Sequence, residues 1–479
     1  MFSKIHKYIP AEDLKIVFFS FLYFFFIITS YYILKPIRNA LLLELPLNNL
    51  PYIFLIVLVF IILTNYIYSI LVCLLPRKTF IRWITNFFVI NLLIFFVIFK
   101  FFISFDFNNN QSSFEKKTNT TTSTLLKTNA LKKVDKNLQK STDIKNLWFE
   151  NGKFSWKNLF IILFYIWVNI FNIFMVSLFW SFTNDVYSES KGKKYYVFIG
   201  AGGMVGGVTG GTITAILINI FSVETLLLFA GLFLEITVFF MFKINEWDIK
   251  QKENNHDNDN FSNKKHKENN KSEDKLNGAQ LILKDRYLLY LGLITFLYTL
   301  SGTLFSFVES NIVKEILTTS QDRTKYYAIV FNIVNIFSFF IQFIITPIVV
   351  KYNFQIGLLF TPVFQFIITI ILNIKPHYYF TALYQILAFG SSYSINRVSS
   401  EIFYIPTPYS YKYKGKNFID TFIFRLGDGC ASVLSIIITS LGIFSISLLN
   451  WISIFFILIY FVIIYLLCKE YNIRYKSLK

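Results

Sequence analysis

The sequence predicts an all-α integral membrane protein, built as a bundle of twelve transmembrane helices in two six-helix halves. Three observations carry that expectation. Hydrophobic residues make up 54% of the 479 and charged residues 15%, against about 25% charged in soluble domains, and the mean hydropathy is +0.52. The apolar residues come in runs of about 20, the length a helix needs to cross a bilayer, with no trace of the alternating segments of about 10 residues that build a membrane barrel. A long polar stretch sits near the middle of the chain, with six apolar runs on each side.

The runs lie at 14–35, 51–75, 80–104, 157–182, 195–220 and 223–243, then at 287–308, 324–349, 355–374, 377–399, 417–442 and 448–468. They divide the chain into an N-terminal half (1–244), a cytoplasmic polar linker (245–284) and a C-terminal half (285–479). Residues 105–156 and the linker, with its KENNHDNDNFSNKKHKENNKSEDK, are too polar and too simple in composition to build a core, and read as solvated loops. The N-terminus MFSKIHKYIPAEDLK is short and polar, and no small-residue cleavage site follows the first run, so that run reads as a retained helix. Short loops carrying Arg77, Lys78 and Arg82, then Lys191, Lys193 and Lys194, then Lys351, then Lys412, Lys414 and Lys416, and the tail from Lys469, fall on one side when twelve helices are threaded. The positive-inside rule places that side, with both termini, in the cytoplasm of a bacterial inner membrane. The basic loop 105–156 falls outside, but long loops weigh little in that rule.

Composition also excludes function classes. The formal charge of +18 suits lipid head groups and topology, because the basic residues flank apolar runs, and does not point to nucleic acid. Cys73, Cys430 and Cys468 are far apart, and the four histidines are scattered, so neither a disulfide framework nor a metal site is expected. No nucleophile elbow and no metalloprotease motif occurs. The chain is expected to be a cofactor-free, monomeric carrier in the lipid bilayer and not an enzyme. The 58 phenylalanines travel with an excess of Ile, Asn and Lys, the signature of an AT-rich genome, which weakens any argument from aromatic count.

Ionisable residues inside spanning helices are costly and persist where they face a cavity or a partner. In SYYILKPIRNALLLE, Lys35 and Arg38 are three apart and share a helix face, with Pro36 bending or breaking the helix between them. Two cations there suit a phosphate; the plainer reading is that both snorkel to the interface. Glu309 closes the seventh run, near its boundary. Asn169, Asn172, Asn332, Asn335 and Gln342 are polar positions inside helices, suited to bonding a neighbouring helix. The tenth run carries Tyr393, Asn396, Arg397, Ser400 and Glu401, and the eleventh Lys416, Asp420, Arg425 and Asp428. Arg397–Glu401 and Lys416–Asp420 have the spacing of helical ion pairs, and the set reads as a cavity-facing or inter-helix network. In GAGGMVGGVTGG, Gly203, Gly207 and Gly211 recur every four residues, as do Gly202, Gly206 and Gly210. With no strand before it and no Lys after it this is not a nucleotide loop; it is a row for close helix packing.

Several segments resemble the bacterial ATP:ADP antiporters, a major-facilitator branch of nucleotide exchangers. They are SYYILKPIRNALLLE, LPRKTFIRW, VSLFWSFTNDVYSESKGKKYYVFIGAGG and EIFYIPTPYSYKYKGKNFIDTFIFRLGDG. The last and the third also echo each other, each with Lys-Gly-Lys at a helix entry followed by glycines. The resemblance runs from about residue 14 to the last helix, outside the two polar loops. It implies exchange of nucleotides across the membrane, with basic residues facing phosphates: Arg38 and Lys35 match basic positions of the first helix, Glu309 an acidic position opening the second half, and Glu401, Lys416 and Asp420 positions around the tenth and eleventh helices. Three departures put the nucleotide in question: Asp428 and Arg397 stand where characterised exchangers carry Lys and Asp, and Arg38 where they carry Lys. The substrate-binding set is thus Lys35, Arg38, Glu309, Arg397, Glu401, Lys416, Asp420 and Arg425, serving antiport of a nucleotide or another small phosphorylated anion by alternating access. The rivals are a proton-coupled carrier of a different organic anion and a non-transporting scaffold of the same fold.

Overall fold

The computed structural model describes residues 10–74, 77–114, 149–150, 153–187, 189–255, 278–404, 407–408, 411 and 415–475. The first helices are α1 (Ala11–Leu42), α2 (Leu50–Leu74), α3 (Arg77–Phe114), α4 (Trp156–Val186), α5 (Glu189–Leu217) and α6 (Thr225–Asn255). A short helix, Gly278–Lys284, leads into α7 (Arg286–Ile316). There follow α8 (320–353), α9 (354–374), α10 (378–404), α11 (416–440) and α12 (Ile446–Tyr475). A two-residue hairpin, Phe149–Glu150 against Lys153–Phe154, precedes α4. Ten helical stretches among the described residues are long and apolar enough to cross a membrane. One of them is the 55-residue run Ser320–Ile374, which holds both α8 and α9. α10 is not among the ten; Ser391, Ser392, Ser394, Asn396 and Arg397 dilute its middle.

Local signals set several boundaries. Ser155 caps α4 by accepting from Asn158 N, and Asp285 caps α7 by accepting from Tyr287 N at 2.7 Å. Thr319 caps α8, accepting from Asp322 N at 3.0 Å. α11 ends in a Schellman turn: Gly442 has φ +70, and the amides of Gly442 and Ile443 reach back to Thr439 O and Ile438 O. Other boundaries differ from expectation. α1 continues through Pro36 to Leu42, so Lys35 and Arg38 lie inside a helix and not at its frayed end; a single missing amide is tolerated where neighbouring helices pack the turn. α3 runs to Phe114 because FDFNNNQSSF holds no Pro or Gly to stop it. Residues 245–255 likewise continue α6, and 278–284 are helical. The rest of both polar segments, with Lys412 and Lys414, lies outside the described residues.

Lipid tails are as apolar as leucine, so helices associate in a membrane through close packing and buried polar links. Glycines permit the closest approaches. A Cβ built on Gly202, Gly206 or Gly210 of α5 would overlap the backbone carbonyl of Phe21, Phe25 or Thr29 in α1. The second row turns further round: a Cβ on Gly203 would overlap the Phe24 ring, one on Gly207 would meet Asn335 Nδ2 at 2.8 Å, and one on Gly211 would meet Asn332 Cβ at 3.2 Å. The last six helices repeat the device, since a Cβ on Gly427 of α11 would overlap Thr299 of α7. Replacing Gly206 by Ala is expected to cost about 1–3 kcal/mol by overpacking, whereas Gly200, with nothing within 4 Å of its Cβ position, should accept Ala without loss. Thermal unfolding of the two purified variants checks this; equal midpoints would mean that α1 and α5 are free to separate.

A second echo lies at the end of the bundle that carries the N-terminus. Asp13 at the head of α1 accepts from Tyr195 OH at 2.6 Å and pairs with Lys191 at 2.8 Å, both at the entry to α5. Asp285 at the head of α7 accepts from Tyr411 OH at 2.9 Å, just before α11, and pairs with Arg474 at 2.8 Å. The first of these clusters lies within α1–α6 and the second within α7–α12. Links between the two sets lie in the middle and at the opposite end. Tyr32 donates to Asn335 Oδ1 at 3.1 Å, and Asn332 to Thr212 at 2.8 Å. At the far end Lys314 donates to Leu45 O at 2.6 Å, Lys325 to Asn219 at 2.9 Å, and Arg323 pairs with Glu44 at 2.7 Å.

Candidate functional site

A cavity of about 260 Å³ lies between the two sets of helices, near the lower end of the size range of small-molecule sites. α1 contributes Arg38, Asn39 and Leu42; α2 contributes Phe54, and α4 Tyr165. From the other side α7 supplies Tyr298, Thr299, Gly302, Thr303, Ser306, Glu309 and Ser310. Tyr327, Phe389, Tyr393, Phe424 and Asp428 complete the wall from α8, α10 and α11. One face of α7 thus presents hydroxyls and a carboxylate at helical spacing, while tyrosines from four helices supply flat rings with polar tips.

Arg38 is only 9% exposed. Its Nε and Nη2 donate to Asn39 Oδ1 at 3.1 and 2.9 Å, and Nη1 donates to Asn169 Oδ1 at 2.9 Å. Asn169 in turn donates to Tyr165 O at 2.8 Å, which turns its carbonyl toward the guanidinium. The guanidinium lies 5.1 Å from the centre of the Tyr165 ring. Every one of these partners is neutral, and among the described residues no carboxylate is within ion-pair distance of Arg38. Its charge is held, oriented and left uncompensated.

Glu309, 5% exposed, lies about two turns before the C-terminal end of α7, which continues past the apolar run to Ile316. Tyr326 OH of α8 donates to Oε1 at 3.2 Å, and Gln385 Nε2 of α10 donates to the same oxygen. Gln385 opens one of two π-turns in α10, 385–389 and 392–396. These wider turns re-aim side chains and occur often at functional sites; here they carry Phe389 and Tyr393 to the cavity. Asp428 Oδ1 accepts from Thr303 at 2.7 Å, and Oδ2 pairs with Arg425 at 3.3 Å. Asp428, read in the sequence as one of a cavity-facing or inter-helix network of charges and as a departure from a family pattern, lines the cavity.

The remaining candidates lie elsewhere. Lys35 points to the seam with α8, its Nζ 3.9 Å from the centre of the Phe331 ring and 5.2 Å from that of Tyr32. It does not line the cavity, so the two cations of SYYILKPIRN diverge. Glu401, 45% exposed at its side chain, pairs with Lys416 at 2.6 Å. The spacing had suggested Arg397–Glu401 and Lys416–Asp420; neither pair forms, because the crossing of α10 over α11 brings Lys416 to Glu401 first. Arg397 and Asp420 are exposed and do not line this cavity. Asn332 and Asn335 bond neighbouring helices, as described above. Sequence reasoning passed over Asn39, Tyr165, Tyr298, Tyr327 and the α7 hydroxyls. A period-3.6 reading of TLSGTLFSFVES would have found the hydroxyl face, but the tyrosines are indistinguishable from the general aromatic excess. Among the described residues no group of three His, Cys, Asp or Glu could hold a metal ion.

Two family models match the sequence. The model of the Major Facilitator Superfamily matches residues 146–405, and that of the TLC ATP/ADP transporters matches residues 374–472. No curated protein matches the chain. Among solved structures the fold is similar to a bacterial homologue of the iron transporter ferroportin in an inward-facing state, with TM-score 0.59 and 13% identity over 95% of this chain and 98% of that one. It is also similar to a bacterial metal transporter, with TM-score 0.55 and 12% identity over 95% and 99%. The nucleoside transporter NupG has TM-score 0.55 and 10% identity over 96% and 99%. At such identities the likeness is one of fold alone. The superfamily match covers more than half of the chain, which is therefore a membrane transporter belonging to the Major Facilitator Superfamily and resembling its ATP/ADP antiporters.

Proposed function

We propose that the chain is a secondary transporter that carries a small solute with an oxyanion group through the central cavity by alternating access, and that the solute is a nucleotide or a similar phosphorylated anion taken in exchange. The single observation that carries this reading is Arg38: a buried guanidinium oriented by Asn39 and Asn169 and, among the described residues, free of any carboxylate in ion-pair distance. A guanidinium offers a planar fork that matches carboxylate and phosphate oxygens. The match to the ATP/ADP transporter model over residues 374–472 supports the nucleotide.

The run Ser320–Ile374 is too long for one crossing of a core about 30 Å thick, and turns back near Asn353. Counting it as two crossings and α10 as another gives twelve, in halves 1–244 and 285–479 joined by 245–284, both termini being cytoplasmic. On this reading the far-end links make an outward seal and the cavity faces inward.

The test is uptake of labelled ATP by intact bacterial cells expressing the chain, with and without preloaded ADP. Uptake accelerated by internal ADP is the expected result; none, with the protein in the membrane, would remove nucleotide exchange. A second reading is favoured by Glu309, whose carboxylate has only neutral partners and one oxygen free of them: it carries a proton with the solute. Uptake driven by an imposed pH gradient, and unaffected by internal ADP, would select that coupling instead.

A further inference from the structure

Resting on the oxyanion reading above, we infer that the cavity takes a solute with an oxyanion held by Arg38 and a nitrogen hydrogen-bond donor elsewhere on the molecule, and that Glu309 is the residue that reads the donor. The donor inventory of the two buried groups carries this. Arginine has five N–H groups in a fixed plane. Asn39 engages one on Nε and one on Nη2, and Asn169 engages one on Nη1. One N–H remains on each terminal nitrogen, open to the oxygens of a carboxylate or phosphate. Among the described residues Arg38 is the cation that lines the cavity, since Lys35 packs against Phe331 and Arg425 is paired with Asp428.

Glu309 presents the complement. Tyr326 and Gln385 both donate to Oε1, and no described residue donates to Oε2. The side chain is 5% exposed and lines the cavity, so the open acceptor is available to a bound molecule and to little else. A solute lacking a donor would leave that oxygen desolvated and unpaired, which is the strongest means a site has of rejecting an analogue. The rings of Tyr165, Tyr298, Tyr327 and Tyr393 also line the cavity and suit a flat body. Two sources present this chemistry: an aminopurine nucleoside monophosphate, with its exocyclic amino group at Glu309, and an amino acid, with its ammonium there.

The experiment is ligand-dependent thermal stabilisation of the purified full-length protein. The probes are AMP against purine riboside monophosphate, which lacks the amino group, and each standard amino acid against its deamino carboxylic acid, which lacks the ammonium. Half-stabilisation at a concentration at least about tenfold lower for AMP, with the preference lost in Glu309→Gln, is the result expected for the nucleotide source. The same preference for an amino acid over its deamino carboxylic acid supports the inference with the other source. The wild-type ratio decides even if the variant does not fold. Equal binding within both pairs overturns the role of Glu309 and leaves the oxyanion reading standing, provided Arg38→Ala abolishes the stabilisation. No stabilisation by any of these probes overturns the inference, and if ATP and ADP also fail to stabilise the protein it overturns the oxyanion reading as well.

Discussion

Replacing Arg38 by alanine is expected to lower the uptake of labelled nucleotide by about 100-fold or more, with the protein still folded in the membrane. Two charge-assisted hydrogen bonds to an oxyanion, each worth about 1.5–3 kcal/mol where water is excluded, account for that loss. The fold has little stake in the side chain: its partners Asn39 and Asn169 are neutral amides, Asn39 lines the same cavity, and no buried carboxylate is left uncompensated. Arg38→Lys separates charge from geometry. It keeps the cation but loses the planar fork and most of the bonds to Asn39 and Asn169, so uptake should fall by roughly tenfold and not to background. Uptake at wild-type rates in Arg38→Ala, with the variant confirmed in the membrane by immunoblot of membrane fractions, would show that the solute's charge is met elsewhere.

Arg38 and Glu309 also show what a membrane sequence makes legible. Both were found because an ionisable residue in an apolar run is expensive and demands a reason, a rule that acts one residue at a time. The α5 glycine rows were found for the same kind of reason, because a period of four glycines has one physical use. Pairing was not legible. Lys416 has an acidic residue at helical spacing, Asp420, and instead meets Glu401 of another helix, which depends on how α10 crosses α11. Lys35 and Arg38 share a helix face, yet the first meets an aromatic seam and the second a cavity, because the boundary between those environments runs between them. The ends of α1 and α3 were misjudged because apolarity marks where the membrane ends, while a helix ends only where its backbone is broken or capped. A proline within a packed bundle and a polar stretch without glycine do neither.

The far end of the bundle carries the other large effect. Arg323 is 4% exposed and donates to Leu317 O at 2.7 Å and Thr318 O at 3.1 Å, carbonyls of the α7–α8 connection that no helix satisfies. Its Nη1 reaches across to Glu44, in the α1–α2 connection, at 2.7 Å. Arg323→Ala therefore strands several acceptors at once and should destabilise the protein by about 3–5 kcal/mol, the cost of breaking a buried pair from one side. Glu44→Gln leaves the guanidinium on its carbonyls and keeps an acceptor in place, so it should cost only about 1 kcal/mol. Thermal unfolding in detergent orders the two. The pair has a second consequence, because it joins the two sets of helices where they must part for the cavity to open at this end. If the closed form is favoured by such links, removing about 1 kcal/mol of them changes the ratio of forms by about fivefold. A cysteine placed at Ser306, in a background without the three native cysteines, reports this through a membrane-impermeant thiol reagent applied at the far face. Glu44→Gln should speed its labelling severalfold, and a bound solute should alter that rate again. Labelling at an unchanged rate in both Glu44→Gln and Arg323→Ala would make the pair a brace for the α7–α8 turn and not part of the gate.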